Sequence, residues 1–146
     1  MVTLPGGRSV GARSLRVPPP EPPAFGLYLG SARAARRRDA GMTWPRRWLV
    51  WPDFRTPRHP DEARAAIAAL YERAATEAVE VACGGGIGRT GTVLACVATL
   101  DGLGPDEAVA WVRAHHHRRA VETPGQRRWV RWFADGFADG FAERPR

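Results

Sequence analysis

Lysine and asparagine are both absent from this chain of 146 residues. All 22 basic residues are therefore arginine, set against 15 acidic ones, for a net charge of +7. Arginine offers a planar fork that fits two oxygens of a carboxylate or phosphate. A surplus of such groups draws phosphorylated and acidic partners. Nucleic acid is not read as the partner, because the arginines are scattered and no helical stretch carries a basic stripe interleaved with aromatics. Cysteine is scarce as well. Two cysteines do not make the disulfide framework of a small secreted domain, and the first residues lack the apolar stretch of a secretory signal. The setting this predicts is a reducing cytoplasm, in which a thiol stays free. No apolar run approaches the ~18 residues of a membrane span, so no membrane partner is predicted. The remaining composition, 44% hydrophobic and 25% charged, fits one globular domain with a single core.

Residues 1–24 are poorly patterned. The run Val17-Pro18-Pro19-Pro20-Glu21-Pro22-Pro23 reads as an extended connector, and Ser14 to Val17 before it as an edge strand. Strands are predicted at Phe25–Leu29, Arg46–Trp51 and Val79–Ala82, and a short helix over Arg33–Ala40. Pro60 opens an amphipathic helix whose apolar positions Ala63, Ala66, Ile67, Leu70, Tyr71 and Ala74 follow one face. Further helices are predicted over Thr90–Leu100, from Pro105 and from Pro124. Strands followed by helices suggest a layered α/β domain with a largely parallel sheet. Phe133, Phe137 and Phe141 recur every four residues and share a helix face, which reads as core packing.

The stretch Cys83-Gly84-Gly85-Gly86-Ile87-Gly88-Arg89-Thr90 carries the chemistry. It has the form C-x-x-G-x-x-R-[ST] and lies between a strand and a helix. A glycine-rich turn at a helix N-terminus gathers backbone N–H groups, and with the helix dipole these favour an anion. Arg89 adds a cation able to grip two phosphate oxygens. Cys83, at the base of the cup, has surroundings that turn a thiol into a nucleophile. Two rival motifs share the segment. Gly86-Ile87-Gly88-Arg89-Thr90-Gly91 matches G-x-G-x-x-G, but a dinucleotide fold needs a second strand ending in an acidic residue, and here another helix follows. A Walker A loop fails because Cys83 and Arg89 stand where glycine and lysine belong.

Together with two other segments, this loop is similar to the cysteine-dependent protein tyrosine phosphatases, in particular their small dual-specificity branch. Trp51-Pro52-Asp53 resembles the mobile loop that carries a general acid. Val121-Glu122-Thr123-Pro124-Gly125-Gln126 resembles the segment whose glutamine positions the hydrolytic water. The three occur in the family's order, and the resemblance covers about Phe25 to Phe133. It implies a three-layer α/β/α fold around a small, mainly parallel sheet. The phosphatase domain would span 25–141, with residues 1–24 as a Pro-rich extension or edge strand and 142–146 as a tail.

By resemblance, Cys83 attacks phosphorus to form a phosphocysteine, and the backbone of Gly84, Gly85, Gly86, Ile87, Gly88 and Arg89 holds the phosphoryl oxygens. Arg89 stabilises the transition state, Thr90 hydrogen-bonds the sulfur, Asp53 is the acid and then the base, and Gln126 aligns the water. No metal or other cofactor is implied. The substrate would be a phosphorylated protein or peptide, phosphotyrosine first, and phosphate, sulfate or vanadate would occupy the same cup. Relatives acting on phosphoinositides carry lysines inside the loop, where this chain has Gly84, Gly85 and Ile87. One departure motivates an alternative. Ala82 stands where most members have a histidine that braces the loop and helps to activate the cysteine. That substitution leaves open a catalytically weak phosphoprotein-binding module.

Each of these residues also has a plainer reading. Thr123 and Gln126 form a capping box, which would orient a helix without chemistry. Asp53 suits a turn after proline. Cys96 reads as a core residue, with a disulfide to Cys83 as the alternative. His115, His116 and His117 are adjacent on a helix and splay apart, so no metal site is read there. Arg118 and Arg119 read either as residues lining the site or as solvated charges.

Overall fold

A computed structural model describes residues 1–138. Its strands are β1 (Val2–Thr3), β2 (Ser9–Ser14), β3 (Phe25–Gly30), β4 (Arg46–Val50) and β5 (Val79–Cys83). Its helices are α1 (Ala32–Asp39), α2 (Pro60–Arg73), α3 (Gly88–Leu100), α4 (Pro105–His115) and α5 (Pro124–Ala138). The five strands form one sheet in the order β1-β2-β5-β3-β4. Only the β1–β2 pair is antiparallel; β2–β5, β5–β3 and β3–β4 are parallel. The architecture is a three-layer α/β/α fold around a mainly parallel sheet.

β5 explains why the sheet is built around it. All five of its residues, Val79-Glu80-Val81-Ala82-Cys83, are buried, as expected of a strand covered on both faces. Side chains alternate. Val79, Val81 and Cys83 join the main core with α2, α3, α4 and α5. Ala82 points to the other face, where it packs with Leu15 and Tyr28 beside Met42, Trp44 and Trp48. Glu80 is buried on that face too, because Arg13 Nη2 and Tyr28 Oη donate to its carboxylate at 2.8 and 2.6 Å. Trp44 Nε1 donates to Tyr28 Oη at 2.7 Å and completes the network. Burial, and next the bond to Glu80, raise the pKa of Tyr28.

The helices lie close to the predicted segments. The six predicted core positions, Ala63, Ala66, Ile67, Leu70 and Tyr71 on α2 and Ala74 at its C-cap, are all buried. Every residue of α3 is buried, so this helix is wrapped on all sides by the sheet, α2, α4 and α5. Phe133 and Phe137 pack together at 5.1 Å inside the core, whereas Phe141 lies outside the described residues.

The N-terminal segment differs from expectation. The strand predicted at Ser14–Val17 on an edge is Ser9–Ser14, and it lies inside the sheet between β1 and β5. Its sequence, Ser-Val-Gly-Ala-Arg-Ser, has one fully buried apolar residue, Val10, too little for a local signal. Pairing with β5 makes it a strand. Because β2, β3, β4 and β5 run parallel, their C-terminal ends share one border of the sheet, the usual location of a crevice in such folds. Ser14, Gly30, Val50 and Cys83 all end there.

Candidate active site

The segment after β5 is a cup built on Cys83. Cys83 is 2% exposed, and its sulfur accepts from Gly86 N at 3.2 Å and from Thr90 Oγ1 at 3.1 Å. The chain turns back over the sulfur at Gly86, whose φ of +73° is left-handed. A Cβ there would also lie within 2.6–2.8 Å of the Ser14 amide and the Arg13 carbonyl. Glycine is therefore required twice, for conformation and for space. The end of β2 buttresses the cup from outside: Ser14 Oγ donates to Gly84 O at 2.6 Å and Leu15 N to Cys83 O at 2.8 Å. From the opposite side His116, the residue capping α4, places Nε2 at 2.7 Å from Gly86 O. Burial lowers its pKa, so the neutral ring with Nε2–H as donor is the form that fits.

Arg89, the second residue of α3, is 7% exposed. Its Nη1 donates to Trp51 O at 2.9 Å. Its Nε is buried and makes no hydrogen bond, lying 3.5 Å from Asp53 Oδ1 in an ion pair. A buried guanidinium N–H with no acceptor carries a desolvation cost that an anion in the cup would relieve. Ile87 supplies no side-chain cap to α3, and the first N–H groups of a helix lack intrahelical partners. Both features favour an anion at this end.

The loop after β4 is anchored beneath and free above. Trp51 is fully buried, packs against Trp129 in a tilted arrangement at 5.3 Å and donates Nε1 to Arg55 O at 2.7 Å. Asp53 projects from this anchor with its side chain 58% exposed. Phe54, next to it, holds φ at +62° and exposes 57% of its surface.

A cleft of about 140 Å³ brings these groups together; Cys83, Gly85, Ile87 and Gly88 line it with Asp53, Phe54, Arg16 and Glu122. Of the predicted residues, Cys83, Asp53, Gly85, Ile87 and Gly88 line this cleft, while Thr90 adjoins it through the Cys83 sulfur and Arg89 through Asp53. Gln126 sits behind them: it is fully buried, its Oε1 accepts from Glu122 N at 2.8 Å and its Nε2 donates to Arg55 O at 3.2 Å. Thr123 Oγ1 accepts from Gln126 N at 3.1 Å, the cap that the sequence suggested. Arg16, Phe54 and Ser14 carry no local signal, whereas Glu122 lies inside the segment that resembles the water-positioning motif and His116 inside the histidine run, neither with a role at the cup that the sequence announces. A larger groove of about 640 Å³ between α1 and the Pro-rich segment, lined by Arg37, Met42 and Trp44 among others, holds no nucleophile.

The remaining candidates separate cleanly. Cys83 and Cys96 are both free, and complete burial pushes the Cys96 thiol well up. His115 stacks on Trp111 at 4.6 Å, His116 faces Gly86 and His117 Nδ1 accepts from Arg119 N. Arg119 lines a second cleft of about 260 Å³ with Phe54, Arg113, Val121 and Glu122. No helix among the described residues is long and apolar enough to cross a membrane.

Residues 51–136 match the family described as PTP-SAK, Swiss Army Knife protein, DSP-PTPase phosphatase domain. The chain belongs to this family. The phosphatase also resembles solved structures. Tk-PTP in its active form shares 24% identity at a TM-score of 0.60, covering 78% of this chain and 80% of that one. The kinase associated phosphatase, with its catalytic cysteine replaced by serine, shares 15% at 0.63, covering 90% and 85%. PTPMT1 bound to PI(5)P shares 18% at 0.59, covering 81% and 80%. At these identities the likeness is one of fold. No curated protein matches the chain. Family, fold and site agree on a cysteine-dependent phosphatase acting on a phosphorylated substrate.

Proposed function

We propose that this phosphatase hydrolyses phosphomonoesters on protein side chains, phosphotyrosine first, through a phosphocysteine at Cys83. One observation carries the reading: a sulfur held by Gly86 N and Thr90 Oγ1 lies in a cleft beside a buried arginine whose Nε makes no hydrogen bond. The backbone of Gly84 to Arg89 holds three phosphoryl oxygens, and Arg89 turns Nε to one of them. The sulfur attacks phosphorus in line. A P–S bond forms, the P–O bond to the leaving group breaks, and Asp53 delivers a proton to the departing oxygen. Asp53 is suited to this because it is exposed to the cleft while Arg89 holds it 3.5 Å away. In the second step water displaces the sulfur, and the Thr90 hydroxyl, at 3.1 Å, stabilises the thiolate that leaves.

A single phosphoryl group suits the cup, since its interior positions Gly84, Gly85 and Ile87 carry no further cation. PTPMT1, whose complex holds a phosphoinositide, makes inositol phosphates a necessary control. We place the reaction in a reducing cytoplasm, where Cys83 stays a free thiol. The test is turnover across phosphotyrosine, phosphoserine and phosphothreonine peptides and inositol phosphates, with vanadate as inhibitor. Phosphotyrosine peptides should react fastest. Asp53→Asn should lower kcat by about 10²–10⁴-fold and remove the basic limb of the pH profile. Ala82 favours one other reading, a phosphoprotein binder with little turnover. Wild-type activity no greater than that of Cys83→Ser would decide for it.

A further inference from the structure

We propose that Glu122, and not Gln126, receives the hydrolytic water in the second half-reaction, and that Gln126 is its positioning residue. The proposal rests on the phosphocysteine reading above. Gln126 is fully buried, and both ends of its amide are spent on the polypeptide, Oε1 on Glu122 N and Nε2 on Arg55 O. Glu122 instead lines the cleft with Cys83 and Asp53. Among the described residues its carboxylate has no hydrogen-bond partner, so its lone pairs are available to water.

Three features hold Glu122 in this place. First, its carboxyl group packs directly on the Gly88 backbone: a Cβ at position 88 would overlap Oε1 and lie 2.7 Å from Cδ. Gly88 has no left-handed φ, so glycine is needed there for space and not for conformation. Second, Val121 holds φ at +60°, a rare conformation for a β-branched residue, and such strain clusters at functional sites. Third, the strained turn is clamped. Arg113 donates to the carbonyls of Ala120 and Val121, at 2.9 Å each, and Glu122 N donates to Gln126. The backbone under Glu122 is thus fixed, and its carboxylate rests on Gly88 with its oxygens free to accept from water.

The step balances. After the leaving group departs, water enters opposite the P–S bond. Its oxygen bonds phosphorus, the P–S bond breaks with its electron pair passing to the Cys83 sulfur, and the water proton passes to Glu122. Inorganic phosphate leaves, and Glu122 returns the proton to solvent. Asp53, paired with Arg89, serves the first half-reaction.

The two halves are separated by rapid-quench kinetics of the full chain with p-nitrophenyl phosphate, and by acid-quenched phosphoenzyme with a ³²P-labelled phosphotyrosine peptide. Glu122→Gln should keep the rate of the first nitrophenol release within about twofold. Its steady-state rate should fall by about 10²-fold or more, the scale of a lost general base, and labelled phosphoenzyme should accumulate. Adding Gln126→Met to Glu122→Gln should cause little further loss, because a positioning residue has nothing left to position. A Glu122→Gln protein with wild-type steady-state turnover and no accumulation overturns the inference. So does a large further loss from the double substitution when its thermal melt is unchanged. A wild type that hydrolyses both substrates while Cys83→Ser does so equally well overturns the phosphocysteine reading itself, a distinct outcome.

Discussion

Arg89 Nη1 donates to the Trp51 carbonyl at 2.9 Å, which ties the first turn of α3 to the loop that carries Asp53. The same guanidinium keeps Nε buried and unbonded at 3.5 Å from Asp53 Oδ1. One side chain thus faces both the anion cup and the loop above it. This coupling makes Arg89→Lys a sharper test than its conservative chemistry suggests. Lysine offers a point charge with no rigid fork, and cannot serve both partners at once. We expect kcat to fall by about 10²–10³-fold. Hydrogen exchange across residues 52–56 should rise, because the carbonyl tie is lost. Unchanged exchange in this loop would refute the coupling.

Gly86 predicts a conformational limit on the cup. Its φ of +73° and its closeness to Ser14 N and the Arg13 carbonyl exclude a side chain. Gly86→Ala should cost about 1–3 kcal/mol from the left-handed backbone, with overlap adding to that. The chemical denaturation midpoint should drop, and activity with it. Gly85→Ala is the control, since a Cβ there meets nothing within 4 Å.

His116 predicts a pH dependence. Burial lowers its pKa below the ordinary histidine value, with the neighbouring His117 contributing in the same direction. The unfolded chain therefore binds this proton more readily than the folded one, and stability rises with pH through that range. The contribution is fully present above the unfolded pKa of about 6.5 and fades as pH falls toward the folded value. Urea midpoints from pH 8 to 5 should fall more steeply for wild type than for His116→Gln. Parallel curves would show that the Gly86 contact carries no linked proton.

The two cysteines should differ in reactivity. Full burial raises the Cys96 thiol far above neutrality, whereas Cys83 lines the cleft. Brief alkylation of the folded protein at neutral pH should label Cys83 alone, and phosphate or vanadate should protect it. Mass spectrometry that found Cys96 modified first would contradict this.

Much of the site is readable along the chain, because an anion cup is a local object. Cys83 through Thr90 make it from consecutive residues, and Trp51-Pro52-Asp53 announces itself through its neighbours. The helix from Pro60 is legible because it buries one face, which leaves a period in the sequence. α3 leaves none, being buried on every side, and its assignment followed from the loop before it. β2 leaves little local signal because only Val10 of its six residues is fully buried, and its pairing with β5 crosses nearly 70 positions. The resemblance implies a water-aligning role for Gln126 because its motif carries a glutamine at that position. Its direction was decided by two bonds, to Glu122 N and Arg55 O.

The sequence by itself determined the parts of the cup: the Cys83 sulfur, Arg89, the glycines between them and Asp53 nearby. Tertiary structure alone decided what supports the cup and what shares its cleft. Ser14 reaches Gly84 across 70 residues and His116 reaches Gly86 across 30, while Glu122 comes to rest on Gly88. The physical reason is range. Backbone N–H groups and a helix end act on the residues next to them in the chain, but a carboxylate finds its place only after distant segments have packed.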